Sequence, residues 1–154
     1  MAHGAGVSTG AVNAAYVLAR LEEAGTTLLC LPNIGPSTRL RTSALEVVRA
    51  ACVEADTTPD RRLRLPMPSP AKVGAMDEAW AWLGHIPNDR YVLRRIVGAR
   101  ALVSPSTERH MFSWRRLGGL LGADHRAVQR WHAEGIDTIV RILNRLDQEM
   151  RCKA

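Results

Sequence analysis

Residues 114–131, WRRLGGLLGADHRAVQRW, constrain the fold more than any other part of the chain. With Ser113 as a cap, Trp114, Leu117 and Leu121 fall at i, i+3 and i+7, on one face of a short helix. Gly118 is small enough to let another helix approach closely. Gly119 costs a helix roughly 1 kcal/mol against alanine, so tertiary packing must hold this one. Gly122 follows as a stop, where a left-handed residue is easiest. Asp124 then offers a side-chain oxygen to cap a second helix. Along that helix Val128, Trp131, Gly135, Ile139, Ile142 and Leu146 drift in one stripe, with Ile136, Val140 and Leu143 beside it. The pattern carries the helix to about residue 149. Two helices joined by a turn of three to four residues make a helix-turn-helix.

The rest of the chain also reads as helices. Residues 11–24 place Val17, Leu18 and Leu21 at helical spacing, and Gly25 is expected to end the run. Residues 26–42 are broken by two prolines and a glycine and are expected to be irregular, with Leu28, Leu29 and Leu31 buried. Helical spacing resumes over 43–55, capped by Ser43 or Thr42, with Leu45, Val48 and Cys52 in one stripe joined by Val47. Residues 57–70 hold four prolines and three arginines, the composition of a linker. Ser69-Pro70 starts the next helix, with serine at the cap and proline in the first turn. Its face is Val73, Met76, Trp80 and Leu83, while Trp82 points nearly the opposite way. That helix is therefore sandwiched between neighbours, or Trp82 marks a partner surface. Pro87-Asn88-Asp89 breaks and recaps the chain. Over 90–103, Val92, Leu93, Ile96 and Val97 face inward, and Arg90, Arg94, Arg95 and Arg100 face largely outward. No alternating strand pattern of useful length occurs. The expected fold is all-α: a helical N-terminal segment (1–56), a Pro/Arg-rich linker (57–69), and a helix-turn-helix domain with a long terminal helix (70–154).

Charge is unevenly placed. The net charge of +6 arises wholly in residues 88–154, which hold thirteen basic and seven acidic side chains, while residues 1–87 hold eight of each. A basic half points to a polyanionic partner for that half. Apolar runs fall well short of the ~20 residues that span a bilayer, and no basic-then-apolar leader is present. Three widely spaced cysteines, Cys30, Cys52 and Cys152, form no CxxC pair, which suits reduced thiols in the cytoplasm. His125 and His132 lie seven apart without a third ligand nearby, so no metal is expected. Asp77-Glu78 reads as a solvated pair, Ser104, Ser106 and His110 form no nucleophile frame, and GAGVSTG lacks the lysine of a phosphate loop. Neither enzymatic activity nor a cofactor is expected.

The segment LGGLLGADHRAVQRW resembles the helix-turn-helix frame of Leu/Ile, a small residue, Leu-Gly, Ser/Asp and Val, matched in order by Leu117, Gly118, Leu121, Gly122, Asp124 and Val128. Residues 88–148, with an Arg-rich helix ahead of the motif, are similar to the DNA-binding region of sigma-70-type factors and to the tails of phage late-gene antiterminators. Through RLRLPMPSPAKVGAMDEAWAWL and RRIVGARAL the chain also resembles an uncharacterised helix-turn-helix family of alphaproteobacterial genomes and prophages. The sigma-type resemblance implies double-stranded DNA as partner and a bacterial or phage transcription regulator. It also allows RNA polymerase as a partner. Two alternatives stand beside it: an oligomeric, small-terminase-like DNA-packaging subunit, and a helical module that docks on protein. From the residues themselves, His125, Arg126, Gln129 and Arg130 avoid the buried stripe at the start of the second motif helix. Arginine can pair bidentately with guanine and glutamine with adenine in the major groove. Arg115, Arg116 and the helix N-termini can hold phosphates.

Overall fold

The computed structural model describes residues 11–31 and 66–153. The helix expected over 43–55, with Cys52, and residues 57–65 of the expected linker lie outside them. Among the described residues there are five α-helices: α1 Ala14–Cys30, α2 Pro70–Trp82, α3 Tyr91–Ala101, α4 Trp114–Leu121 and α5 His125–Lys153. Two 3-10 turns, Leu83–His85 and Asn88–Arg90, join α2 to α3. Among the described residues there is no strand, only one isolated bridge between Val103 and His110. The fold is all-α.

Helix α1 is longer than expected. Asn13 caps it, its side chain accepting from the Tyr16 N–H at 2.8 Å. Gly25 does not stop it. A Cβ at Gly25 would lie 1.9 Å from the Ala101 carbonyl oxygen, so this glycine is where α1 and the end of α3 cross in backbone contact. The two threonines that follow are helical, and their hydroxyls donate back to the carbonyls of Glu22 and Glu23. The helix then runs on to Cys30.

Helix α2 starts as its sequence indicates, with Ser69 accepting from the Lys72 N–H and Pro70 in the first turn. It is sandwiched. Trp82 is only 7% exposed and its ring lies 6.2 Å from that of Tyr16 on α1. Trp80 on the other side comes within contact range of Gly98 on α3. The alternative of an exposed Trp82 is therefore excluded.

Two apolar clusters hold the molecule together. In the first, Val17, Leu21 and Ala24 of α1 meet Met76 and Ala79 of α2, Leu93 and Val97 of α3, and Ile136 and Ile139 of α5. In the second, Ile96, Leu102, Phe112, Leu117 and Val128 pack beneath the helix-turn-helix. Both side chain groups of Asn144 bond the Val12 backbone, N–H to Oδ1 at 2.7 Å and Nδ2 to O at 2.9 Å, tying α5 to the start of α1. Residues 11–31 thus share one core with residues 66–153. Beyond Asn144, α5 leaves that core. Leu146, expected in the buried stripe, is 41% exposed. Among the described residues no helix is long and apolar enough to cross a membrane.

Candidate nucleic-acid interface

The helix-turn-helix is built as its glycines and caps dictate. Ser113 accepts from the Arg116 N–H and starts α4. Gly122 ends it in the left-handed conformation, φ 63° and ψ 31°. The Ala123 N–H then bonds back to the Gly118 carbonyl at 3.0 Å. Asp124 caps α5, its Oδ2 accepting from the Arg126 N–H at 3.2 Å. Gly118 is buried, and it admits both the turn and the first residue of α5. A Cβ there would lie 2.7 Å from the Ala123 carbonyl oxygen and within contact distance of the His125 backbone.

Helix α3 supports this pair through a connector that closes on itself. The Ser104 N–H bonds the Arg109 carbonyl and the Glu108 N–H bonds the Ser104 carbonyl, both at 2.8 Å, with Glu108 at φ 54°. The Met111 N–H donates to the Leu102 carbonyl at 2.9 Å. The connector is longer than a tight turn, yet it returns the chain to where α3 ended. Phe112 and Leu117 therefore land on Ile96 and Leu102.

Of the six residues singled out in the sequence, five are exposed and His125 is half-buried. Arg115 and Arg116 are exposed in the first turn of α4, and Arg126, Gln129 and Arg130 are exposed on the first turns of α5. Asp124, Arg126, Gln129, Arg130 and Ala133 border one open concavity. Among the described residues, Arg115, Arg116, Arg126 and Arg130 make no ion pair. The Arg116 guanidinium rests 5.0 Å from the centre of the Phe112 ring, which restricts it without neutralising it. His125 is turned to its neighbour, Nδ1 lying 3.1 Å from Asp124 Oδ1, so it belongs to the cap as much as to the surface.

Electrostatics separates the two helix N-termini. Asp124 places a carboxylate at the start of α5, where it offsets the positive end of the helix. A phosphate is better received at α4, which has a neutral cap in Ser113 and two arginines in its first turn.

Of the four arginines expected to face outward over 90–103, Arg90 and Arg95 are exposed, while Arg94 and Arg100 turn back to the chain. Arg90 pairs with Glu134 of α5. Arg94 donates to the Ile86 carbonyl and to Asn88 Oδ1. Arg100 donates to the Phe112 carbonyl at 2.8 Å and lies 4.1 Å over the Trp114 ring. Arg94 and Arg100 each find a backbone oxygen brought close by folding, which no residue pattern announces. Arg95 stays exposed.

The same layer holds two histidines that the sequence left unassigned. His110 Nδ1 lies 2.8 Å from the Arg100 carbonyl and its Nε2 lies 3.7 Å from Glu22. His132 packs edge-on to Trp114, ring centres 5.1 Å apart. Burial, reinforced by the charge of Arg100 and by His110, lowers its pKa from 6.5 to about 4, so it is neutral at neutral pH. Among the described residues no three His, Cys, Asp or Glu side chains gather as a metal site. Comparison with protein-family models, with curated proteins and with solved structures finds no match for this chain.

Proposed function

We propose that this protein binds double-stranded DNA in a sequence-directed way, seating the N-terminal turns of α5 in the major groove. The observation that carries this reading is the exposed set Arg126, Gln129 and Arg130 on the second helix of a helix-turn-helix, flanked by Arg115 and Arg116 on the first. A bidentate donor fork and an amide at this place suit guanine and adenine edges. The α4 arginines suit the adjacent backbone and would set register rather than sequence. The biological role that fits is that of a sigma-like transcription regulator of a bacterium or phage, acting in the cytoplasm on DNA and, through it, on RNA polymerase.

The test has two steps. Genomic fragments retained by the full-length protein are sequenced, and a shared site is then titrated by fluorescence anisotropy against a scrambled duplex. The expected result is tighter binding to the shared site by at least about a thousandfold, the low end for specific recognition. Equal affinity for both duplexes assigns the protein to sequence-independent packaging. No DNA binding at low salt makes the motif a protein-docking hairpin.

A further inference from the structure

One carboxylate close in sequence to the exposed arginines of α5 is held from another helix. Arg130 and Glu134 stand four residues apart on α5, the spacing at which opposite charges meet on a helix surface. Within four residues of Arg130 on either side, Glu134 is the one acidic side chain. Yet Glu134 pairs with Arg90, at the start of α3. Arg130 makes no ion pair among the described residues, and it borders the open concavity together with Arg126, Gln129 and Ala133.

The pairing follows from how α3 meets α5. Gly135 is buried between them, and a Cβ there would lie 2.7 Å from Val97 Cγ2 and 3.7 Å from Leu93 Cβ. This close approach brings the start of α3 alongside Glu134. Both partners remain wet, with 53% of the Arg90 side chain and 45% of the Glu134 side chain exposed. An ion pair so open to water adds little to stability. What it decides is which arginine Glu134 engages. Two arginines compete for one carboxylate. On a helix, an arginine placed four residues before a glutamate is the weaker order of such a pair. Even a modest partner on α3 is therefore enough to draw Glu134 away from Arg130.

We propose that Arg90 is a positioning residue of the DNA-binding surface: it takes up Glu134, which leaves Arg130 available to the nucleic acid and covers a negative charge beside it. This rests on the reading of α5 as the helix that enters the groove. Arg90 itself makes no contact with DNA in this arrangement. Without it, Glu134 turns to Arg130 and one basic group is withdrawn from the polyanion.

The test compares full-length wild type with Arg90→Gln, Arg90→Lys and the double variant Arg90→Gln with Glu134→Gln. The first readout needs no DNA: it is the NMR signal of the Arg130 Nε–H. That signal is expected to shift in Arg90→Gln and to return in the double variant. The second readout is anisotropy titration of a random-sequence duplex at several salt concentrations. Arg90→Gln is expected to lower the slope of log affinity against log salt by about 0.9, and affinity by about fivefold to tenfold at about 0.1 M salt, which is what one phosphate contact supplies there. The double variant is expected to recover both, although it lacks Arg90 as well, and Arg90→Lys to keep most of both. All variants are expected to melt within about 2 °C of the wild type. A loss that the double variant does not recover puts Arg90 on the phosphates itself and overturns the proposal. So does an Arg90→Gln that binds like the wild type, leaves the Arg130 signal in place or fails to fold. In each of these cases the wild type still binds DNA and the reading of α5 stands. A wild type that binds no duplex at low salt overturns both.

Discussion

At the scale of single residues, exposure divides the basic side chains by role. Arg126 and Gln129 are exposed on α5, where the proposed reading puts base edges, whereas Arg94 and Arg100 spend their donors on carbonyl oxygens of their own chain. Arg126→Ala and Gln129→Ala are therefore expected to weaken a preferred duplex by about 1–3 kcal/mol each, and a random duplex by much less. Parallel anisotropy titrations of the two duplexes check this, and equal losses would reassign both residues to the phosphates. His132 gives a second expectation. Its ring faces Arg100 of α3, His110 of the connector and Trp114 of α4, in a cavity that Glu22 of α1 also borders. Its folded pKa of about 4 lies below the unfolded 6.5. The unfolded chain thus takes up this proton first. The contribution of His132 is complete above 6.5, is lost as pH falls toward 4, and does not change further below that. At about 1.4 kcal/mol per unit the loss is capped at roughly 3 kcal/mol, and the ring's remaining solvent access makes it smaller. Thermal melts between pH 7.5 and 4.5 should fall less steeply for His132→Gln than for the wild type. Equal slopes would show that the ring is open to water.

At the scale of elements, two adjacent glycines of α4 carry opposite expectations. A Cβ at Gly118 would press on the Ala123 carbonyl at 2.7 Å, and backbone must move to admit it. At Gly119 nothing lies within 4 Å. Gly118→Ala is expected to cost about 1–3 kcal/mol, as overpacking does. Gly119→Ala should stabilise by up to about 1 kcal/mol, the helix propensity gained. Urea melts of the two variants check the signs, and a neutral Gly118→Ala would mean that the turn sits farther from α4. The same contrast explains what was legible beforehand. The helix-turn-helix was readable because its signals are local: Ser113, Gly122 and Asp124 each act within a few residues of their own position. The end of α1 was not readable. Gly25 looks like a stop, yet its role is set by Ala101, far away in the sequence. Trp82 was ambiguous for a similar reason, since its place depends on Tyr16 across the α1–α2 contact. The exposure of Arg115, Arg116, Arg126, Gln129 and Arg130 was legible, but the capture of Arg94 and Arg100 by backbone carbonyls was not.

For the whole molecule, the question is how much of the +6 excess reaches a polyanion. The sequence places that excess in residues 88–154. Folding then commits some of the thirteen basic side chains behind that excess elsewhere: Arg90 goes to Glu134, Arg94 to the α2–α3 corner, Arg100 to the interior, and Arg151 to Asp147. Arg115, Arg116, Arg126 and Arg130 remain together at the helix-turn-helix. Each phosphate neutralised adds roughly 0.9 to the slope of log affinity against log salt, so these four give a slope of about three to four. A surface using every arginine of α3 as well would be steeper by about three. The measurement belongs to the full chain, because Val17, Leu21 and Ala24 of α1 complete the core on which α3 and α5 rest. Anisotropy at several salt concentrations supplies the slope. Arg115→Ala with Arg116→Ala is expected to lower it by about two while leaving the ratio of specific to random binding nearly unchanged. Arg94→Gln should leave the slope where it was. A slope that falls with Arg94→Gln and not with the α4 pair would put the DNA across α3 instead, and the first turns of α5 would lose their place in the groove.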